Sequence, residues 1–266
     1  MASSTSERTQ RAGTTPPAVA AYALALGDDA LIASHRLGEL IGRAPQIEED
    51  IALANIGLDL LGQARTLLTY AGSLDAADAA GPTDEDRLAY FREGRDFRNV
   101  HLVERPNGDF AVTMVRLLLL SCYQCELYAG LCGSADPTIA AIAAKAVKEV
   151  TYHRDHADVW VTRLGGGTEE SHARAQVALD AEWPFLAELF EPVQDSLVDA
   201  GVAVDPVGLR EPVLERVRAV LASATLAEPE IDDAVTGGRS GVHTEAFGYL
   251  LAEMQHLARS HPGARW

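Results

Sequence analysis

The chain has 266 residues, of which 22 are basic and 39 acidic, for a net charge of −17; 47% are apolar and 23% charged. That composition supports a sizeable buried core and is unlike that of a disordered chain. The negative balance excludes a nucleic-acid binder, which needs a basic stripe to displace counterions, and it opposes adhesion to an anionic membrane surface while favouring a basic protein partner.

Residues 1–16 read as a disordered N-terminal tail and 17–266 as a single domain. Arg8 and Arg11 precede the apolar run Ala18–Leu26 and imitate a secretion signal. The run is short, however, and its pattern continues past Asp28 and Asp29 as an amphipathic helix, so the segment is expected to belong to the mature protein. No stretch reaches the roughly 18 consecutive apolar residues of a membrane span. The first helix is expected from about Pro17 to Ile41, with Leu26, Ala30, Ala33, Leu37 and Leu40 as its stripe and Gly42 and Pro45 as its stop. The second, from about Glu48 to Ala71, is apolar over much of its circumference. A loop rich in Ala, Asp and Gly follows, broken at Gly81-Pro82, and then a shorter helix over about Asp84 to Glu93.

Pro106-Asn107-Gly108 predicts a turn, and Asp109 a cap for a helix reaching about Cys132. Asp136-Pro137 opens the next, which runs to Gly165-Gly166-Gly167. A further helix is expected around Trp183, Phe185, Leu186, Leu189 and Phe190, bent or interrupted by Pro184. Two more carry Val213 to Leu221 and Phe247 to Leu257. No alternating strand pattern and no repeat appears, so the fold class is all-α: a four-helix bundle with additional C-terminal helices outside it. Cys122, Cys125 and Cys132 are an odd, clustered set inside an apolar helical stretch, which points to core thiols in a reduced cytoplasmic chain.

Bundles place metal sites on inward faces. The di-iron carboxylate type takes a Glu from each of two helices and a Glu-x-x-His pair from each of the other two. Here the stripe Ile139, Ala143, Ala146, Val150, His153, Ala157 keeps the His but has Val150 where the Glu belongs. The stripe Ile56, Leu60, Gln63, Leu67 has Leu60 for the Glu and Gln63 for the His. Aliphatic side chains and an amide are a poor set for iron, which wants anionic oxygen and imidazole nitrogen. Glu39 and Glu126 are candidates to face inward and join Gln63 and His153 in a buried polar cluster. His35 and Glu39, one turn apart, are expected to form a local pair, and His156 lies off the stripe and is expected to be solvated. Gly237, Gly238 and Arg239 precede a helix N-terminus, where backbone amides suit a coenzyme phosphate or a partner contact; they do not match a P-loop.

Several stretches resemble the C subunits of ring 1,2-phenylacetyl-CoA epoxidase, a phenylacetate-CoA oxygenase. They are Asp50–Arg65, Glu104–Phe110, Lys145–His153 and Thr236–Glu245 running into Leu251–Gln255, with the terminal Pro262-Gly263 and Trp266. The resemblance covers about Ala18 to the C-terminus and implies a ferritin-like fold and a non-catalytic subunit with no cofactor of its own. Its implied partners are the di-iron catalytic A subunit, a small B subunit, and a reductase carrying flavin and an iron–sulfur cluster. The complex so implied epoxidises the ring of phenylacetyl-CoA with dioxygen and NADPH in aerobic phenylacetate breakdown. The resemblance makes Glu39 a remnant of a ligand position and leaves Glu126 without a family role. It implies that Leu60, Gln63, Val150 and His153 mark a degenerate metal site. Two alternatives stay open: a catalytic di-iron oxygenase subunit with an unusual ligand set drawn from Glu39, Glu126, His153 and Asp59, and a coenzyme A-binding module using Gly237, Gly238, Arg239 and His243.

Overall fold

A computed structural model describes residues 15–75 and 84–264. The expected N-terminal tail falls almost wholly, and the Gly81-Pro82 break and Trp266 entirely, outside the described residues. Ten α-helices are described: α1 (Pro16–Gly38), α2 (Ile47–Asp75), α3 (Glu85–Tyr90), α4 (His101–Glu104), α5 (Phe110–Leu131), α6 (Pro137–Gly165), α7 (Glu169–Glu182), α8 (Asp195–Asp199), α9 (Pro206–Ser223) and α10 (Glu245–Ser260). There is no strand among the described residues. The long helices α1, α2, α5 and α6 form the bundle, with α1 lying along α2 and α5 along α6. Helices α7 and α9 cover α5, while α10 closes over α3 and α4.

The starts of these helices follow their sequence signals. Asp109 caps α5 by accepting from the Val112 amide at 3.1 Å, and Asp136 caps α6 from the amides of Thr138 and Ile139. Both carboxylates satisfy orphan N–H groups that the helix itself leaves unpaired. Pro16 and Pro137 sit in first turns, where a missing N–H costs nothing.

Several boundaries differ from expectation: α2 runs past Ala71 to Asp75, and α3 stops at Tyr90, short of Glu93. The first helix ends at Gly38 rather than Ile41, because residues 39–43 turn back toward α2 through the left-handed Gly42 (φ 81°). The aromatic stretch expected as a helix is instead two 3₁₀ turns, Trp183–Phe185 and Ala187–Phe190, placed after α7. Pro184 has no N–H to donate into the helical ladder, so although Trp183 keeps helical backbone angles, α7 ends at Glu182 and gives way to the tighter turns.

By length and composition α1 and α5 do qualify as membrane-crossing helices, which the count of consecutive apolar residues did not reach. In this fold 78% and 83% of the qualifying windows are buried inside the bundle, as core helices of a folded domain are.

Candidate functional site

Four of the degenerate metal positions, Leu60 and Gln63 on α2 and Val150 and His153 on α6, are buried. Leu60 and Val150 are fully buried members of the one hydrophobic core. Gln63, also buried, donates from Nε2 to Glu149 Oε2 at 3.0 Å, and Glu149 in turn pairs with Lys145 at 3.0 Å. His153 has no exposed surface, and its Nε2 lies 3.1 Å from Asp59 Oδ2. One turn on, His156 Nε2 lies 3.1 Å from Glu49 Oε2. The polar cluster between α2 and α6 therefore exists, but with other members than expected.

Glu39 is outside it. It follows the end of α1 and is bound by Arg36 at 2.8 Å and by Asn107 Nδ2 at 2.8 Å. Arg36 supplies the hydrogen bonds, because its longer guanidinium side chain reaches both carboxylate oxygens of Glu39, while the charge of Glu39 also acts on His35. Glu126 is half-buried on α5 and makes no hydrogen bond or ion pair with Gln63 or His153. His156 is half-buried and paired rather than solvated. Cys122 and Cys125 are buried free thiols, as expected, while Cys132 is exposed.

A di-iron centre does not fit this donor set. Besides the aliphatic pair at 60 and 150, the acids of α1 are Asp28 and Asp29, both committed elsewhere, and the single acid of α5 is Glu126. Four helices would have to supply carboxylates to one point; both Glu-x-x-His positions lack their Glu, the acids of α1 are engaged, and the one acid of α5 makes no hydrogen bond or ion pair with Gln63 or His153.

Burial holds the His153 pKa below its ordinary value of 6.5 against the opposing pull of Asp59, and His35 and His156 are lowered in the same direction. A lowered imidazole contributes stability above pH 6.5 that is lost as the pH falls, because the unfolded chain takes up the proton first. Burial raises the Asp29 carboxyl to about 6, which acts in the opposite sense over part of that range. The informative quantity is therefore the difference between wild type and His153→Gln in urea unfolding. That difference should shrink by up to about 1.4 kcal/mol between pH 7.5 and 5.5. A difference independent of pH would show that His153 is not held neutral.

The other buried acids have a different task. Residues 97–100 cross the interior without regular structure and lead into the single turn of α4, whose first amides are unpaired too, so these amides need acceptors. Asp28 accepts from the Arg98 amide (2.9 Å), Asp29 from Val100 (2.9 Å) and Glu188 from His101 (2.5 Å). Each acid also meets a second group: Asp28 pairs with Arg92, Asp29 with Arg239 (2.6 Å), and Glu188 accepts from the Gly237 and Gly238 amides. Glu182 joins Arg105 and Arg116, each at 3.0 Å. Glu104 accepts from Asn99 Nδ2 (2.8 Å), His243 Nδ1 (2.7 Å) and the Thr244 amide (2.6 Å). Both ring nitrogens of His243 face oxygens, Glu104 on one side and the Phe97 carbonyl at 3.2 Å on the other.

These contacts account for the donors expected to hold a phosphate. The Gly237 and Gly238 amides point at Glu188. Arg239 is spent on Asp29 and on the carbonyls of Ala25 (3.2 Å) and Arg98 (2.8 Å). Arg98 and Arg239 border a cleft of about 460 Å³, yet the charge of Arg239 is turned inward. His101, Glu104 and His243 bring their possible ligand atoms within 4.8 Å of one another. Only His101 Nδ1 is uncommitted there, however, since Glu104 and His243 satisfy each other and His101 Nε2 lies 2.7 Å from the Val242 carbonyl. Glu104 and His243 would have to give up present partners to make a metal site.

Gly238 shows how tight the crossing is. A Cβ at this position would sit 2.0 Å from the Asn99 carbonyl oxygen. Gly238→Ala should therefore destabilise the chain by about 1–3 kcal/mol, the range for overpacking a filled interior. An unchanged melting temperature would show that the 237–241 segment yields freely.

Sequence reasoning does not single out Glu104, Glu182, Glu188, Asp28 or Asp29 as interior acids. A signal is present in Asp28-Asp29, two adjacent acids amid Ala18–Leu37, a place where unpaired charge is not tolerated.

Comparison with known proteins adds to this geometry. The family described as phenylacetic acid catabolic protein matches residues 1–266. Over 248 residues the chain is 48% identical to the C subunit of 1,2-phenylacetyl-CoA epoxidase from Escherichia coli (strain K12), covering 92% of this chain and 98% of that protein.

Proposed function

The chain belongs to the phenylacetic acid catabolic protein family, and on that premise we propose that it is a structural subunit of a phenylacetyl-CoA epoxidase. It serves phenylacetate catabolism as the C-type subunit of the complex, without redox chemistry of its own. The observation that carries this reading is the filled bundle interior: Leu60 and Val150 are fully buried where a di-iron protein needs carboxylates. Gln63 and His153, which remain, are hydrogen-bonded to Glu149 and Asp59.

The partner in this reading is the di-iron catalytic A subunit, within an assembly that also includes a B subunit and a flavin and iron–sulfur reductase. The chain's own contribution is burial. A subunit with a well-packed core stabilises any partner state that binds it, by mass action alone. No residue of this chain is assigned a catalytic role, and the engaged donors of the 237–243 segment leave coenzyme A recognition to the partner.

The experiment is co-expression with the catalytic subunit, followed by size-exclusion chromatography and iron analysis of each chain. The expected result is one complex at micromolar concentration, with the iron in the partner. Separate elution of the two chains would overturn the structural role, and near two irons in this chain would establish the catalytic alternative.

A further inference from the structure

Helix α2 presents two apolar faces, and the chain's own core uses only one. Leu53, Ile56, Leu60 and Leu67 are buried. Ile47, Ile51, Leu58 and Leu61 are 72%, 57%, 64% and 39% exposed. Spacings of 4, 7 and 3 align these four along one side of the helix, about 21 Å from end to end. On α6, beyond the polar seam formed by Asp59, Gln63, Glu149 and His153, Tyr152 and Val159 are 52% and 48% exposed. Scattered exposed apolar residues need no explanation, but a continuous stripe along a long bundle helix marks a contact. Ala54 and Gly62 stand within the stripe, so another backbone can approach it closely.

We propose that this outer face of α2 and α6 is the surface on which the catalytic subunit of the oxygenase docks. The inference rests on the structural-subunit reading above. Two features select the occupant. The first is charge. Glu48, Glu49 and Asp50 open α2, whereas Arg65 and the chain's only lysines, Lys145 and Lys148, lie toward the opposite end of the face. Arg65 and Lys145 are already paired with Glu85 and Glu149, so the matching surface has an apolar centre, cations opposite the first turn of α2 and a carboxylate opposite Lys148. A second copy of this chain would bring another net charge of −17 to the contact and is repelled at long range. The second feature is area. Both helices have 29 residues, so each is about 43 Å long, and side by side they offer roughly 800–900 Å². That matches the ~800 Å² per partner of a stable interface. The charged ends are rim positions that set orientation and encounter rate, and the stripe carries the affinity.

The test uses the full chain co-expressed with the catalytic subunit. Ile51→Glu with Leu58→Glu should weaken the complex at least 100-fold and make the chains elute separately. The variant chain alone should melt within a few degrees of wild type, since both positions are exposed. Val177→Glu, an equally drastic change at an exposed position of α7, should leave the complex intact. As a measurement independent of folding, a photo-cross-linker on Leu58→Cys should capture the catalytic subunit, and one on Val177→Cys should not. A complex that survives the double substitution, or a cross-link only to a second copy, overturns the assignment of the face while leaving the structural-subunit reading standing. A wild-type pair that fails to associate overturns that reading itself.

Discussion

Glu104→Ala should cost the chain about 3–5 kcal/mol, the range for removing one partner of a buried ion pair. For a chain of this size such a loss lowers the melting temperature by about 10 °C. The carboxylate has no exposed surface and accepts three hydrogen bonds, from Asn99, His243 and the Thr244 amide. Alanine would leave the ring of His243 (itself stacked on Phe247, which meets Phe97 edge-on) facing a void, and would strand two further donors. Burial alone would raise the Glu104 pKa; the bonds from His243 and Thr244, the charge of His243 and the Asn99 amide outweigh it and hold the group below its ordinary 4.5. A lowered carboxyl contributes stability above that value and loses it as the pH falls through the folded-state pKa. The gap between wild type and Glu104→Ala should therefore narrow in acid. Urea unfolding with an unchanged m-value is the measurement. A loss below about 1 kcal/mol would mean that the two segments do not depend on this carboxylate.

The location of Glu104 also explains why parts of this molecule are legible in the sequence and parts are not. Caps such as Asp109 and Asp136 act within three residues, so local spacing predicts them, and the 4, 3 stripes of α2 and α6 predict their buried faces because helix geometry is local. That same periodicity places Leu60 with Gln63 on one face of α2 and Val150 with His153 on one face of α6. It cannot pair Gln63 with Glu149 or His153 with Asp59, since those contacts depend on how α2 and α6 are rotated against each other. Nor can it show that Glu104 and His243, 139 residues apart, meet. The stretches Glu104–Phe110 and Thr236–Glu245, each distinctive by itself, are two halves of one buried joint. Read alone, the glycines and Arg239 of the second stretch suggest a ligand contact, because their acceptors come from α1 and from the turn at Ala187–Phe190, which no local pattern connects to them.

Rebuilding the missing metal ligands should fail, and the reason defines what this subunit has become. The triple variant Leu60→Glu, Gln63→His, Val150→Glu restores both Glu-x-x-His pairs on paper. In the absence of iron it places two carboxylates among Leu, Val and Ala side chains that offer no hydrogen bond, so a loss of more than about 3 kcal/mol is expected unless both take up protons. Iron cannot supply the compensation. The two remaining carboxylates of a di-iron site would have to come from α1 and α5: Asp28 and Asp29 are committed to the amides of Arg98 and Val100, and the half-buried Glu126 makes no hydrogen bond or ion pair with Gln63 or His153. Gln63→His would also release Glu149, which the amide now orients. Metal sites depend on such supporting contacts nearly as much as on the ligands. The purified variant is expected to bind less than one ferrous ion per chain and to gain no thermal stability from added Fe²⁺. Two irons bound, with the melting temperature restored, would show that three side chains alone separate this bundle from a working centre.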